Sequence, residues 1–173
     1  MKNSIDCSND KKPMLWLTIG LPRSGKTTWI WQNLDRWGNA SVVNPDSIRV
    51  AMHGEAFNPA AETAIWMVAN YMVPALFVAG HDNVILDATN INKSQRVKWQ
   101  PCDLWDVGFV YFEIEKSICL QRASEEMKPV IESMSDRFAP FPLLPVDIGW
   151  QQTKTNFIHL RWSSTAYQEI KRI

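Results

Sequence analysis

The chain has 173 residues, 46% hydrophobic and 21% charged, the proportions of a soluble globular protein with a buried core rather than of a disordered chain. Eighteen basic and eighteen acidic residues cancel, so no whole-molecule field draws the protein onto DNA or anionic lipid, and any nucleic-acid contact must be local. Cys7, Cys102 and Cys119 form no CxxC pair and no zinc spacing with histidine, which fits free thiols in a reducing cytoplasm.

Met1 to Pro13 is polar, lacks the apolar stretch of a signal peptide, and reads as a loose arm before one domain over 14–173. Apolar runs then alternate with helical patterns, which predicts an α/β fold with a mostly parallel sheet flanked by helices. Met14 to Ile19 (MLWLTI) is a first strand ending at Gly20, followed by a helix from Lys26 to Trp37 that Gly38 closes. Ser41 to Val43 is a short second strand, and Asn44-Pro45-Asp46 opens a helix reaching about His53.

Pro59 to Ala79 predicts a long helix with Asn58 as its N-cap, kinked or split by Pro74. Thr63 to Gly80 carries no charge, but it is short for a membrane span and contains Asn70 and Pro74, so a buried helix is the reading. A third strand from Val84 to Leu86 ends at Asp87. It is followed by a short polar helix over Lys93 to Gln100, a fourth strand from Val107 to Ile114 and a helix from Ser117 to Ser124. Met127 to Phe138 is a further helix with Pro129 near its start. The run APFPLLP from Ala139 reads as a loop, and the tail to Ile173 leaves strand and helix open. Nine tryptophans are assigned mostly to core and surface, with one or two available to stack on bases.

Gly20-Leu21-Pro22-Arg23-Ser24-Gly25-Lys26-Thr27 matches GxxxxGK[ST] at every fixed position. The glycines permit a tight turn whose N–H groups point inward at phosphate oxygens, and the following helix presents its positive end to the same anion. Lys26 reaches the β- and γ-phosphates, and the Thr27 hydroxyl is placed to ligate Mg²⁺. Pro22, Arg23, Ser24 and Thr28 complete the nucleotide-binding set. Such a match arises by chance in roughly one sequence in two hundred, and the strand before it and helix after it reduce that further.

Asp87 ends a buried strand, where the ligand crevice of an open α/β sheet lies. It can hold the metal directly or through water, or cap the turn of DATN. Thr89 and Asn90 either contact nucleotide or acceptor or shape that turn. Asp46 follows the second strand and can orient an attacking hydroxyl and take its proton, although Asn-Pro-Asp is also plain turn chemistry. Arg49, three residues on, shares its helical face, which suits a hydroxyl acceptor flanked by phosphate or a weak surface ion pair. Arg122 reads as a lid arginine on the transferred phosphoryl group or as a solvated side chain. His53, His81 and His159 fit no metal or triad spacing, and Glu125 and Glu126 read as a solvated charge run.

Taken together, GLPRSGKTTW, VVNPDSIR, VILDATNIN, the arginine of LQRAS and a proline-started helix ending MSDRF resemble one family. It is that of the phage polynucleotide 5′-hydroxyl kinases and related small P-loop kinases, AAA-type ATP-binding proteins, and the resemblance runs from about Leu15 to Phe138. It implies a P-loop NTPase fold with a short helical lid over about 122–138, ATP and Mg²⁺ as cofactors, and DNA or RNA as substrate, with neither a membrane nor an obligate protein partner. It also implies that Lys26 and Thr27 handle ATP and metal, with Asp87 near the metal. Asp46 would be the general base, Arg49 would hold the neighbouring substrate phosphate, and Arg122 would be the lid arginine.

Two departures stand out. Ser124-Glu125-Glu126 follows Arg122 where the best-studied members carry a second basic cluster, and no segment here would encode their phosphatase domain. Three other readings use the same parts: a kinase of hydroxymethylated bases in phage DNA, a small-molecule kinase, and a non-catalytic nucleotide switch.

Overall fold

The computed structural model describes residues 12–54, 57–138, 156–163 and 166–172. The arm expected over residues 1–13 lies outside them up to residue 11, as does the loop expected from Ala139.

Strands β1 (Met14–Ile19), β2 (Ala40–Val43), β3 (Asn83–Leu86), β4 (Asp106–Glu113), β5 (Asn156–Ser163) and β6 (Ala166–Arg172) form one sheet in the order β2-β3-β1-β4-β5-β6. The first five run parallel and β6 pairs antiparallel with β5. The tail left open between strand and helix is therefore a pair of strands. All six β1 residues are buried, as a strand covered on both faces requires. The helices are α1 (Lys26–Gln32), α2 (Pro45–His53), α3 (Glu62–Val78), α4 (Lys93–Arg96), α5 (Lys116–Gln121) and α6 (Lys128–Asp136). The helix expected to reach Trp37 ends at Gln32 and continues as a separate 3-10 turn, Leu34–Trp37.

The period-2 pleat splits the core between two faces. Leu15, Leu17 and Ile19 face α3, whose Ile65, Ala69, Val73 and Phe77 recur every four residues and are all buried. Met14 and Trp16 face the other way, toward Trp29, Ile30 and Trp37. Each buried side chain of this size contributes about 1.5–3 kcal/mol. Three indole rings are used on this face: Trp16 meets Trp37 edge-on at 4.6 Å and Trp29 meets Phe112 at 5.6 Å. Gly108 on β4 is required by this packing, because a Cβ there would stand 2.6 Å from the Trp16 ring.

Pro74 neither splits α3 nor ends it; the helix runs unbroken from Glu62 to Val78. The carbonyl that loses a donor belongs to Asn70, on the exposed side of the helix, where water can serve it. The helix also starts later than Pro59: Asn58 accepts from the Ala60 amide at 3.1 Å in a turn that precedes it. The polar helix after β3 shortens to four residues, and its Arg96 is 1% exposed, donating to the Asn90 and Ile91 carbonyls at 3.0 and 2.9 Å. Among the described residues no helix is long and apolar enough to cross a membrane.

Candidate active site

The chain leaves β1 for the β2–β3 side of the sheet and later returns to the β4 side, so the strand order switches direction at β1. Ligands of open α/β sheets bind at such a point, beyond the carboxyl ends of the strands. The loop after β1 lies there. Arg23 and Gly25 are both left-handed, with φ of 62° and 93°. Gly25 supplies that geometry at no steric cost, whereas Arg23 must be held in it by its surroundings. At Gly20 the constraint is space, since a Cβ would meet Phe112 Cβ and Ser24 Oγ at 3.1 Å.

Lys26, 7% exposed, folds back beneath this turn and donates to the Gly20 carbonyl (3.1 Å), the Leu21 carbonyl (2.7 Å) and Ser24 Oγ (3.3 Å). Burial pushes its ammonium down to about 8, against the opposing pull of Asp87, Cys119 and Asp46. Two carboxylates from different strand ends therefore act on the same lysine. Pro22 is half-buried on the outer turn, and Thr28 is exposed on the first turn of α1.

The Thr27 hydroxyl donates to Asp87 Oδ2 at 2.6 Å, and the amide of Asn44 donates to the same oxygen at 2.8 Å. Asp87 is 3% exposed. Asn44 has a second task, because its Oδ1 accepts the Ser47 amide at 2.8 Å and caps α2. One residue thus ties Asp87 to the helix that carries Asp46. Asn44 was passed over as turn chemistry in the sequence. One hydroxyl and one carboxylate are hard oxygen donors that suit Mg²⁺, which is held through one or two protein oxygens with phosphates and water filling the remaining positions. Among the described residues no three His, Cys, Asp or Glu cluster as a metal cage.

Asn90 is 2% exposed, left-handed at φ 43°, and donates its side-chain amide to the Thr18 carbonyl at 2.9 Å. With Arg96 holding its carbonyl, Asn90 shapes the loop behind Asp87. Its amide is therefore directed to β1 rather than into the crevice.

Asp46 is 82% exposed at its side chain and accepts from Arg49. Arg49 also donates Nε and NH2 to the two oxygens of Glu62 at 2.6 and 2.7 Å, a bidentate pair joining α2 to α3. The hydrogen bonds hold the Glu62 carboxyl below its usual range and raise the guanidinium, burial opposing both. Glu62 was missed in the sequence, where nothing local marks a residue thirteen positions from its partner.

Arg122 caps α5 and points NH1 at the Arg23 and Ser24 carbonyls, at 3.3 and 3.5 Å. A cleft of about 480 Å³ beside it is lined by Glu113, Ile118, Gln121 and Arg161 among others. Within that lining Glu113 accepts from Arg161 at 3.0 Å and pairs with His159 at 2.6 Å. His81 lies 3.3 Å from Ser41 Oγ, away from the loop. The structure thus gathers the phosphate loop, Asp87, Asp46, Arg49 and Arg122 around the carboxyl end of the sheet.

Comparison with known proteins agrees with this geometry. No curated protein matches the chain significantly in sequence. Among solved structures, a chain of a Pnkp1/Rnl/Hen1 complex is similar at 27% identity and a TM-score of 0.58. The similarity covers 71% of this chain and 42% of that one, so this chain spans less than half of that protein's length. A fungal RNA kinase (16% identity, TM-score 0.57, 88% of this chain and 75% of that one) shares the fold. So does a gluconokinase from Sinorhizobium meliloti 1021 (13%, 0.56, 87% and 83%). Residues 15–137 match the AAA domain family. With its loop after β1 and its six-stranded, mostly parallel sheet, the chain belongs to that family and has the fold of the small P-loop kinases.

Proposed function

We propose that this chain transfers the γ-phosphoryl group of ATP to a hydroxyl of a nucleic acid, most simply a 5′-OH end. The observation that carries this reading is Asp46, an exposed carboxylate on the first turn of α2, just beyond the carboxyl end of β2 and on the same side of the sheet as the phosphate loop. Asp46 accepts the proton of the attacking hydroxyl and aims its oxygen. Lys26 turns its ammonium from the loop carbonyls to the β- and γ-phosphates, and Arg122, already at the loop's outer turn, neutralises charge on the transferred group. Thr27 and Asp87 would hold Mg²⁺, which when bound offsets the charge of the phosphates. Positioning and electrostatics suffice, and no nucleophilic side chain is needed.

A second reading, a kinase of a small alcohol, is favoured by Arg49. Its guanidinium is already paired with Glu62 on two nitrogens, and an acceptor without an adjacent phosphate leaves that pair intact. The fold itself does not separate the two, since an RNA kinase and a gluconokinase share it. Labelled ATP with 5′-OH oligonucleotides, hydroxymethyl-base DNA and a panel of small alcohols distinguishes the readings. Label on the oligonucleotide 5′ end is expected; label confined to a small alcohol replaces the first reading with the second.

A further inference from the structure

The outer face of the phosphate loop is held by a residue from the far end of the chain. Tyr167, on β6, donates its hydroxyl to the Ser24 carbonyl at 2.5 Å. Its ring stands edge-on to Phe112 at 5.1 Å, and its Cε2 lies 3.7 Å from where a Gly25 Cβ would project. Phe112 in turn lies against Gly20 at the other end of the loop. The aromatic pair therefore spans the turn from its first glycine to its second. Burial raises the phenol's pKa, so it stays a donor across the working range.

The consequence follows from peptide geometry. In a planar trans peptide the C=O and the next N–H point in opposite directions. Fixing the Ser24 carbonyl outward fixes the Gly25 N–H inward, whereas the Ser24 N–H closes the turn by donating to the Leu21 carbonyl at 3.2 Å. The left-handed residues Arg23 and Gly25 flank Ser24, and the Ser24–Gly25 peptide is free to rotate without such an anchor.

We propose that Tyr167 is a positioning residue of the phosphate loop, its hydroxyl holding the Ser24–Gly25 peptide so that the Gly25 amide faces the bound phosphates. This rests on the reading of the loop as a triphosphate site. Tyr167 acts through the Ser24 carbonyl of the loop backbone, so its effect is the same for any ligand carrying the polyphosphate.

The test compares the full chain with Tyr167→Phe, which keeps the ring and removes the donor, and Tyr167→Leu, which removes both. Affinities for ATP, GTP and inorganic tripolyphosphate, each with Mg²⁺, are measured by calorimetry beside the ligand-free thermal midpoint. For Tyr167→Phe, affinity is expected to fall about five- to tenfold, the worth of one hydrogen bond, equally for all three ligands and with the midpoint nearly unchanged. Tyr167→Leu is expected to lower the midpoint further with little added loss of tripolyphosphate affinity. Loss for ATP but not tripolyphosphate, or loss only in the leucine variant, would overturn the proposal. Wild-type protein that binds none of the three ligands would instead remove the triphosphate reading itself.

Discussion

The hydroxyl of Thr27 and the carboxylate of Asp87, sixty positions apart, meet at 2.6 Å across the junction of α1 and β3. The contact puts a hydroxyl and a carboxylate oxygen side by side, where the two would hold Mg²⁺ and offset phosphate charge. Asp87→Asn keeps the shape and loses the charge. The Mg²⁺ concentration for half-maximal turnover is expected to rise about 10- to 100-fold, read from a metal titration at saturating ATP. An unchanged titration would place the cation elsewhere.

Asn44 links that carboxylate to α2. Asn44→Ala should destabilise the fold by about 1 kcal/mol through the lost cap and should also weaken metal dependence. Asn44→Ser restores a capping oxygen without the amide donor, so stability should recover while the metal defect persists. Denaturant midpoints and metal titrations on the two variants separate the roles.

If Asp46 takes the acceptor's proton, Asp46→Asn should retain nucleotide affinity and lose transfer by about two powers of ten or more. Turnover at the wild-type rate would assign the base to another group.

Lys26 gives the site a pH signature. Its ammonium loses its proton near 8 in the folded chain against 10.5 unfolded, because burial disfavours the charge. A bound polyphosphate favours the charged form, so nucleotide binding above pH 8 should take up a proton and weaken as pH rises. Calorimetry in two buffers of different ionisation enthalpy measures that uptake at pH 9, and Lys26→Met should abolish it. Without nucleotide the sign reverses. Between pH 8 and 10.5 the unfolded chain binds more protons, so this group's contribution to stability rises with pH.

Glu62 has the same sign of pH dependence in the acid range. Hydrogen bonding to Arg49 depresses its carboxyl below 4.5, so its stabilisation is complete above that value and is lost as pH falls through the depressed one. Glu62→Gln should cost about 2 kcal/mol at pH 7, with variant and wild type converging in acid. Unfolding curves at pH 7 and pH 3 provide the comparison.

The phosphate loop was legible in the sequence because its requirements are local: two glycines, a lysine and a hydroxyl at fixed offsets after an apolar strand. Asp87 and Asp46 were legible as acids at strand ends. Asn44, Glu62 and Tyr167 were not, since each acts on a partner that only the folded chain brings near, from 13 residues away for Glu62 to 143 for Tyr167. Asn90 and Pro74 illustrate the converse. Local rules left Asn90 between ligand contact and turn, and made Pro74 a kink or split, but Asn90 gives its side-chain amide to β1 and an exposed carbonyl at Asn70 lets the helix run on through Pro74.

Strand β6 reaches the phosphate-loop region twice, through Tyr167 at the end of the loop and through Glu169, whose carboxylate takes Arg36 at 2.9 Å just past α1. During translation, residues 20–27 leave the ribosome well before residues 166–172, which brace them from outside. Such long-range closure slows folding, and a nascent chain stopped before residue 166 would carry the full nucleotide motif without the strand that braces it.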